Sequence, residues 1–385
     1  MRTNLIRVAS IADLRRLAHR RLPRPMFDFL DGAAGDEVTH RDNVTAFQRY
    51  EYRPRVGMDV SRRTIGTTVL GAPMALPFGL SPVGFSGLLH PHGEILAARA
   101  AADAGIPYCL STFSVASIEE VAAAAPEADK WFQLYFVKDR KLLNSLLDRA
   151  RAANFRVLCV TVDLPVAGRR DRDVRNGFTV PPQFSWRGAL EFASHPAWLL
   201  GVIRAPVTFG NFEANRTSQG VGSLAKHIGT LFDPAATWED IARLRDIWKG
   251  PMILKGVLHP ADAERAVGLG IDGLSASNHG GRQLDGSPSA LDALVEIAGV
   301  ARGKIELMID GGIRRGGDMA KALALGATFC LIGRAYAYGL AAAGKAGVDK
   351  AIALLAAELD NTLTLLGEPD IGKLGPAQVR RIGLR

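Results

Sequence analysis

Hydrophobic positions along the chain fall into a repeated couplet: an alanine-rich stretch with helical spacing, a Gly or Asn, then a short unbroken apolar run. AARAAADAG precedes IPYCLST, RARAAN precedes FRVLCVTVD, AERAVGLG precedes IDGLSAS, and AKALALGA precedes TFCLIGR. The spacing predicts helices whose small residues allow close packing, each closed by a residue suited to the left-handed conformation: Gly105, Asn154, Gly270 or Gly326. The apolar runs do not alternate, as expected of strands covered on both faces. Eight are counted, near 76–84, 107–112, 130–136, 157–163, 251–257, 273–278, 306–312 and 328–334. Helices alternating with eight buried parallel strands predict an α/β protein folded as a (β/α)8 TIM barrel. A doubly wound sheet is the alternative, disfavoured because no Gly-rich dinucleotide fingerprint follows the first strand.

Two regions stand outside the predicted barrel, within what is expected to be a single domain over 1–385. Residues 1–75 read as an N-terminal helical cap with a short β element near 64–70. Residues 168–235 form a long insertion after the fourth strand, far beyond an ordinary connection. Within it, 178–212 carries only Arg187, Glu191 and Arg204 as charges, alongside Trp186, Trp198, Leu199, Leu200 and Ile203. That pattern suits a segment lying on a membrane surface, or a lid over a pocket packed on its own barrel.

With 48% hydrophobic and 22% charged residues, the chain can fill a large core, and disordered or collagen-like readings are excluded. A net charge of +8 invites acidic partners, but the 47 basic residues are dispersed among 39 acidic ones, with no basic tail or zinc-finger spacing. Nucleic acid is therefore not expected as a partner. Cys109, Cys159 and Cys330 each sit inside an apolar run, which predicts buried free thiols. The first twenty residues hold charges and no apolar leader core, and the charge-free stretch Thr64–Gly93 is broken by Pro73, Pro77, Pro82 and Pro91. The expectation is a cytoplasmic protein, peripheral on the membrane face where the insertion meets it.

Polar residues cluster where the apolar runs end: Asp163, Lys255, Asn278, His279, Asp310 and Arg334. Barrels place their chemistry at these C-terminal strand ends. DGGIRRG (Asp310–Gly316) after the seventh run and IGR (Ile332–Arg334) after the eighth combine glycines, whose N–H groups can approach an anion closely, with arginines. Together they predict a phosphate site. In SNHGGRQLDG (Ser277–Gly286), His279 can accept a proton near neutral pH and Arg282 can fork onto a carboxylate. Asp163 offers an anion to orient that imidazole. Lys255, after four apolar residues, needs an anionic ligand or a carboxylate neighbour to justify its burial. WFQLYFVKDR alternates so that Gln133 and Tyr135 share one face of a strand. A rival constellation, His90 and His92 with His259, would point to a metal-dependent barrel hydrolase.

Taken together, SNHGGRQ, the Lys in ILKG, FQLY, TVDLPVAGRR, DGGIRRG and IGR resemble the FMN-dependent α-hydroxy-acid oxidase and dehydrogenase family, above all its mandelate dehydrogenase and L-lactate dehydrogenase branches. The resemblance runs from LPRPMFDFLDGA to the C-terminal helices. It implies FMN across the barrel mouth, with its phosphate on Gly312, Arg314, Gly333 and Arg334. The ring edge would meet Ser111, Gln133 and Thr161, and one ring face would meet Pro82, Val83 and Gly84. Ser277, Asp310 and Gly311 complete the implied cofactor set, and Lys255 would stand by the flavin N1. Arg282 and Arg170 would clamp a substrate carboxylate, Tyr135 would bond the substrate hydroxyl, and His279, oriented by Asp163, would take its proton. An L-2-hydroxy acid would become a 2-oxo acid, with a quinone or O2 as acceptor, in an enzyme that resembles a family rich in homotetramers. A non-catalytic FMN-binding barrel is the reading in which His279 has no role. Two positions depart from the pattern: Phe29 stands where the family usually has Tyr, and Ser81 where Ala or Gly is common. The first bears on substrate choice and the second on the electron acceptor.

Overall fold

A computed structural model describes residues 5–177, 186–205, 209–212 and 231–383; for Trp186, Arg187 and Ala189 it describes the backbone alone. Eight parallel strands close into a barrel: β1 (Phe78–Leu80), β2 (Tyr108–Ser111), β3 (Lys130–Tyr135), β4 (Val157–Thr161), β5 (Met252–Val257), β6 (Gly273–Ala276), β7 (Glu306–Asp310) and β8 (Phe329–Ile332). Each strand pairs with its neighbours in sequence, and β8 returns to β1 with Cys330 opposite Phe78 and Ile332 opposite Leu80. The strands are shorter than the apolar runs. The run 76–84, for example, gives only Phe78–Leu80, because Ser81–Gly84 leaves the ladder to line the mouth.

The two-residue period of a strand divides the barrel cleanly. Even-numbered residues such as Phe132, Leu158, Leu254, Leu274 and Ile332 point outward into the layer of helices. Odd-numbered residues point inward, and on β7 the parity is reversed: Cys109, Trp131, Cys159, Ile253, Phe329 and Leu331 form a separate interior cluster with Met308, while Leu307 and Ile309 face the helices. Val69 and Met74, from the hairpin Thr67–Val69/Ala72–Met74, belong to that cluster and plug the N-terminal end. Further along the same inward registers the side chains turn polar at the other end: Ser81, Ser111, Gln133, Thr161, Lys255, Ser277 and Asp310 are all buried there. The three cysteines are buried and free.

Helix signals act locally. The helix Arg140–Ala152 buries Leu143, Leu146, Leu147 and Ala150 on one stripe, and Asp139 caps it by accepting from the Lys141 and Leu142 amides. Asn154, just past its end, has φ 57°. Over the barrel mouth lies the N-terminal cap, with α1 (Ile11–Arg21), α2 (Arg24–Asp31) and α3 (Val38–Thr45). Asp31, at the end of α2, is gripped by Arg15 at 2.6 and 2.7 Å, by the Tyr338 hydroxyl at 2.7 Å and by Arg172 at 3.1 Å. Those bonds fix α2 against the mouth.

In the insertion, the described part of 178–212 includes helices Trp186–Ala193 and Pro196–Arg204; 178–185 and 206–208 lie outside the described residues. Leu190, Leu200 and Ile203 are exposed on these helices. Trp198 does not share that face. Its indole donates to the Leu88 carbonyl at 2.7 Å and its ring stacks on Phe192, so this tryptophan serves as an inward anchor rather than an interfacial one.

Candidate active site

A cleft of about 1260 Å³, open to solvent, occupies the C-terminal mouth of the barrel. Of the residues singled out by sequence, Phe29, Ser81, Pro82, Val83, Gly84, Ser111, Tyr135, Arg170, Lys255, His279, Arg282, Asp310, Gly311, Gly312, Arg314, Gly333 and Arg334 line it. Gln133, Thr161, Asp163 and Ser277 stand just outside that lining.

His279 is built into a turn of three consecutive left-handed residues, with φ 58° at His279, 66° at Gly280 and 76° at Gly281. The glycines are required. A Cβ at Gly280 would lie 2.6 Å from Arg334 Nη1, and one at Gly281 2.7 Å from the His40 amide. A histidine in this backbone region is uncommon and costs about 1–3 kcal/mol, which the surroundings must hold. They do so at three points. Asp163 Oδ1 lies 3.0 Å from Nδ1, Ser277 Oγ accepts from the His279 amide at 3.1 Å, and the Tyr135 hydroxyl lies 3.4 Å from Nε2. Gln283 ties the loops together by donating to the Asp163 carbonyl at 2.9 Å. Burial raises the Asp163 carboxyl, but His279 and then Lys255 outweigh it and hold the group below its ordinary value. Nδ1 faces an anion, so it carries the proton and Nε2 presents its lone pair to the cleft.

The arginines differ in their partners. Arg170 pairs with Asp173 at 2.6 Å. Arg282 donates to the carbonyls of Phe29 at 2.7 Å and Gly32 at 3.0 Å, with its guanidinium 5.0 Å from the Phe29 ring centroid. Arg334 donates to the carbonyls of Leu30, Gly280 and Gly32. Both are half-buried and bonded to neutral acceptors. Burial, together with neighbouring arginines, pulls Arg282 well below its ordinary value, and Arg334 also falls. Two such cations facing one cleft are short of negative charge, which an anionic ligand would supply.

Lys255 has its counter-ion in the protein: Nζ lies 2.8 Å from Asp310 Oδ2 and donates to Ser277 Oγ at 3.3 Å. The carboxylate neighbour, rather than a ligand alone, accounts for its burial. Desolvation opposes the charge, but Asp310 and Asp163 more than offset it and push the ammonium above its usual range. Ser81 Oγ donates to the same Asp310 oxygen at 2.7 Å, so its hydroxyl is committed.

The residues also bear on whether FMN fits. Gln133 Nε2 and Thr161 Oγ1, on adjacent strands, are buried with no hydrogen-bond partner among the described residues. A flat ligand edge bearing acceptors and donors would complete them. Gly311 and Gly312 have φ 157° and 82°, and a Cβ at Gly312 would overlap the Asn43 carbonyl at 1.9 Å, so the backbone here must stay bare. A Cβ at Gly333 would meet nothing nearer than 3.8 Å, which leaves room on that side of the cradle. These groups fit a phosphate-bearing flavin.

Sequence reasoning missed the other wall. Phe85, Phe113 and Phe232 line the cleft with Phe29 and Tyr135, and Phe209 and Phe212 back them. They come from separate loops and carry no shared local pattern. It also missed His40, which sits beside the arginines of the cradle. Burial, then Arg334 and Arg314, bring its imidazole down to about 3 from 6.5. The folded protein thus refuses a proton that the unfolded chain accepts, so stability should fall as pH drops from about 6.5 towards 3. Urea midpoints measured across that window should show this slope, and His40→Gln should flatten it.

The rival histidines are not gathered. His259 caps the helix Pro260–Gly268 by accepting from the Ala261 amide, and His90 Nδ1 lies 3.0 Å from the Pro91 carbonyl.

A closed barrel with an imidazole–carboxylate pair and a basic, glycine-lined cradle at its mouth defines the class of barrel enzymes that work on an anionic substrate beside a phosphate-bearing cofactor. The chain belongs to the FMN-dependent dehydrogenase family, whose model matches residues 18–381, and it is an FMN-dependent enzyme. It is 42% identical to a putative L-lactate dehydrogenase of Mycobacterium tuberculosis over 97% of this chain and 90% of that one. It is also 42% identical to the L-lactate dehydrogenase of Xanthomonas euvesicatoria pv. vesicatoria over 97% of each. Among solved structures, (S)-mandelate dehydrogenase, described as a monotopic membrane protein, superposes with a TM-score of 0.93 at 38% identity, over 97% of this chain and 100% of that one. A mandelate oxidase with (S)-4-hydroxymandelic acid superposes with a TM-score of 0.84 at 40% identity, over 97% and 98%. The metal-dependent hydrolase reading is thereby corrected: His90, His92 and His259 belong to a flavin enzyme.

Proposed function

We propose that the protein oxidises an L-2-hydroxy acid with a bulky, mandelate-like side chain to the 2-oxo acid and passes the electrons to a quinone-type acceptor. The observation that carries this reading is His279, held by Asp163, with Nε2 turned towards Tyr135 in the same cleft as the uncompensated Arg282. FMN, when bound, supplies the acceptor for the substrate's electron pair.

Gly311, Gly312, Arg314, Gly333 and Arg334 would hold its phosphate. Ser111, Gln133 and Thr161 would meet the ring edge, Pro82–Gly84 one face, and Lys255, with Ser277 and Asp310 around it, the far side. Arg282 and Arg170 would bind the substrate carboxylate. Phe29 has no hydroxyl to add to that grip; its ring lies 5.0 Å from the Arg282 guanidinium carbon and 5.8 Å from that of Arg170, so it braces both cations instead. Tyr135 would orient the substrate hydroxyl. His279 Nε2 would take the proton the substrate gives up, and Asp163 would balance the imidazolium.

The wall of Phe29, Phe85, Phe113 and Phe232 supports a large apolar side chain over a methyl group. The exposed Leu190, Leu200 and Ile203 support contact with a membrane surface, where a quinone would be met. No helix among the described residues is long and apolar enough to cross a membrane. Purified protein mixed under argon with (S)-mandelate should lose its yellow colour faster than with L-lactate, and a soluble quinone should restore it faster than air does. A preparation whose colour neither acid discharges would sink the reading, and faster recovery in air would make the enzyme an oxidase.

A further inference from the structure

Glu94 has no part in the chemistry above, yet it is 1% exposed and bonds to two segments that reach the cleft. It is the second residue of α4 (Gly93–Asp103). Its partners are main-chain amides: Oε1 accepts from Gly87 at 3.2 Å and from Val115 at 3.0 Å, and Oε2 has no partner among the described residues. Burial pushes the carboxyl up, with the surrounding amides opposing the rise. A carboxyl in such a place is costly, so the two bonds it makes deserve an account.

Those bonds join two different loops. Gly87 belongs to the segment after β1, whose Pro82, Val83, Gly84 and Phe85 line the cleft, and Val115 to the segment after β2, where Phe113 lines it beside Ser111 at the strand's end. The loops also meet where the Phe85 amide donates to the Phe113 carbonyl at 2.9 Å. There is little slack between them. A Cβ at Gly87 would lie 2.8 Å from Val115 Cβ, and one at Gly93 would lie 2.3 Å from the Ser86 carbonyl oxygen. Tyr336 secures the first loop from behind by donating to the Ser81 carbonyl at 3.1 Å. One carboxyl oxygen therefore bridges the two segments that wall the cleft.

We propose that Glu94 is a positioning residue for the cofactor, a single side chain that clips the β1 and β2 loops together so that Pro82–Gly84 and Ser111–Phe113 present a fixed wall to the FMN ring. The proposal rests on the placement of FMN against those loops argued above. Glu94→Gln keeps an acceptor oxygen at full reach, whereas Glu94→Asp is one methylene short of serving both amides. Hydrogen exchange on the FMN-loaded enzyme reads the clip, while the visible flavin band and FMN retention on ultrafiltration read its effect on the cofactor. In Glu94→Asp, exchange at Gly87 and Val115 should rise, the band should shift, and retention should weaken about tenfold, the scale of one lost buried hydrogen bond. Glu94→Gln should match the parent in all three.

Unchanged exchange in Glu94→Asp would overturn the clip itself. Raised exchange with an unchanged band and retention would overturn the link to FMN and with it the assumed ring placement. If Glu94→Asp does not fold, Glu94→Gln decides alone: parent-like behaviour supports the proposal, and a shifted band or faster exchange overturns it.

Discussion

Replacing His279 by alanine is expected to slow substrate-driven discharge of the flavin colour by about 10²- to 10⁴-fold, the usual worth of a positioned base. FMN should stay bound, because the cradle of Gly311, Gly312, Arg314 and Arg334 owes nothing to the imidazole side chain. The turn should also keep its shape, since the Ser277 Oγ bond to the residue 279 amide and the left-handed Gly280 and Gly281 do not depend on the imidazole. A large rate loss without loss of colour would therefore report on proton transfer rather than folding. Asp163→Asn is the informative companion. An amide in that position can donate to Nδ1, which would move the imidazole proton to Nε2 and leave the substrate facing a donor. Its rate should fall nearly as far, although the histidine is intact. Stopped-flow mixing under argon measures both, and a His279→Ala enzyme that reacts at the parent's rate removes this imidazole from the reaction.

What could be read in the sequence was what has a period or a fixed address. Strand ends are such an address. Lys255, Asp163, Asp310 and the inward Ser111 and Gln133 reach one mouth because strand alternation carries every second position inward, odd on most strands and even on β7, and the C-terminal ends of parallel strands coincide. Strand limits were less legible, because apolar character continues past Leu80 into residues that wall the cleft. The phenylalanine wall was invisible for a related reason. Phe85, Phe113, Phe209, Phe212 and Phe232 come from four different segments, and only closure of the barrel brings them together. The anchoring of Arg282 and Arg334 was hidden too, since both lean on main-chain carbonyls of the cap, and a carbonyl leaves no trace in a residue's identity. Trp198 shows the opposite error: its apolar surroundings suggested an interface, while its N–H found a partner in the Leu88 carbonyl.

Lys255→Met is expected to cost about 3–5 kcal/mol of stability, the scale for breaking a buried ion pair from one side. The lysine is 3% exposed and Asp310 8%, so among the described side chains the abandoned carboxylate would keep the Ser81 hydroxyl at 2.7 Å as its hydrogen-bond donor. Adding Asp310→Asn should return most of that stability, because the double variant leaves no buried charge without a partner. Function should not return with it. If Lys255 serves the cofactor through its charge, the double variant will fold and bind FMN yet remain slow to react with the hydroxy acid, and its flavin reduction potential will lie below the parent's. Thermal unfolding measures the first effect and a redox titration the second. A double variant that regains both stability and potential would make Lys255 and Asp310 a structural pair and nothing more. If stability returns and potential does not, the ammonium acts on the ring directly, and the cost of burying it at the end of β5 is met by Asp310 so that the charge can face the cofactor.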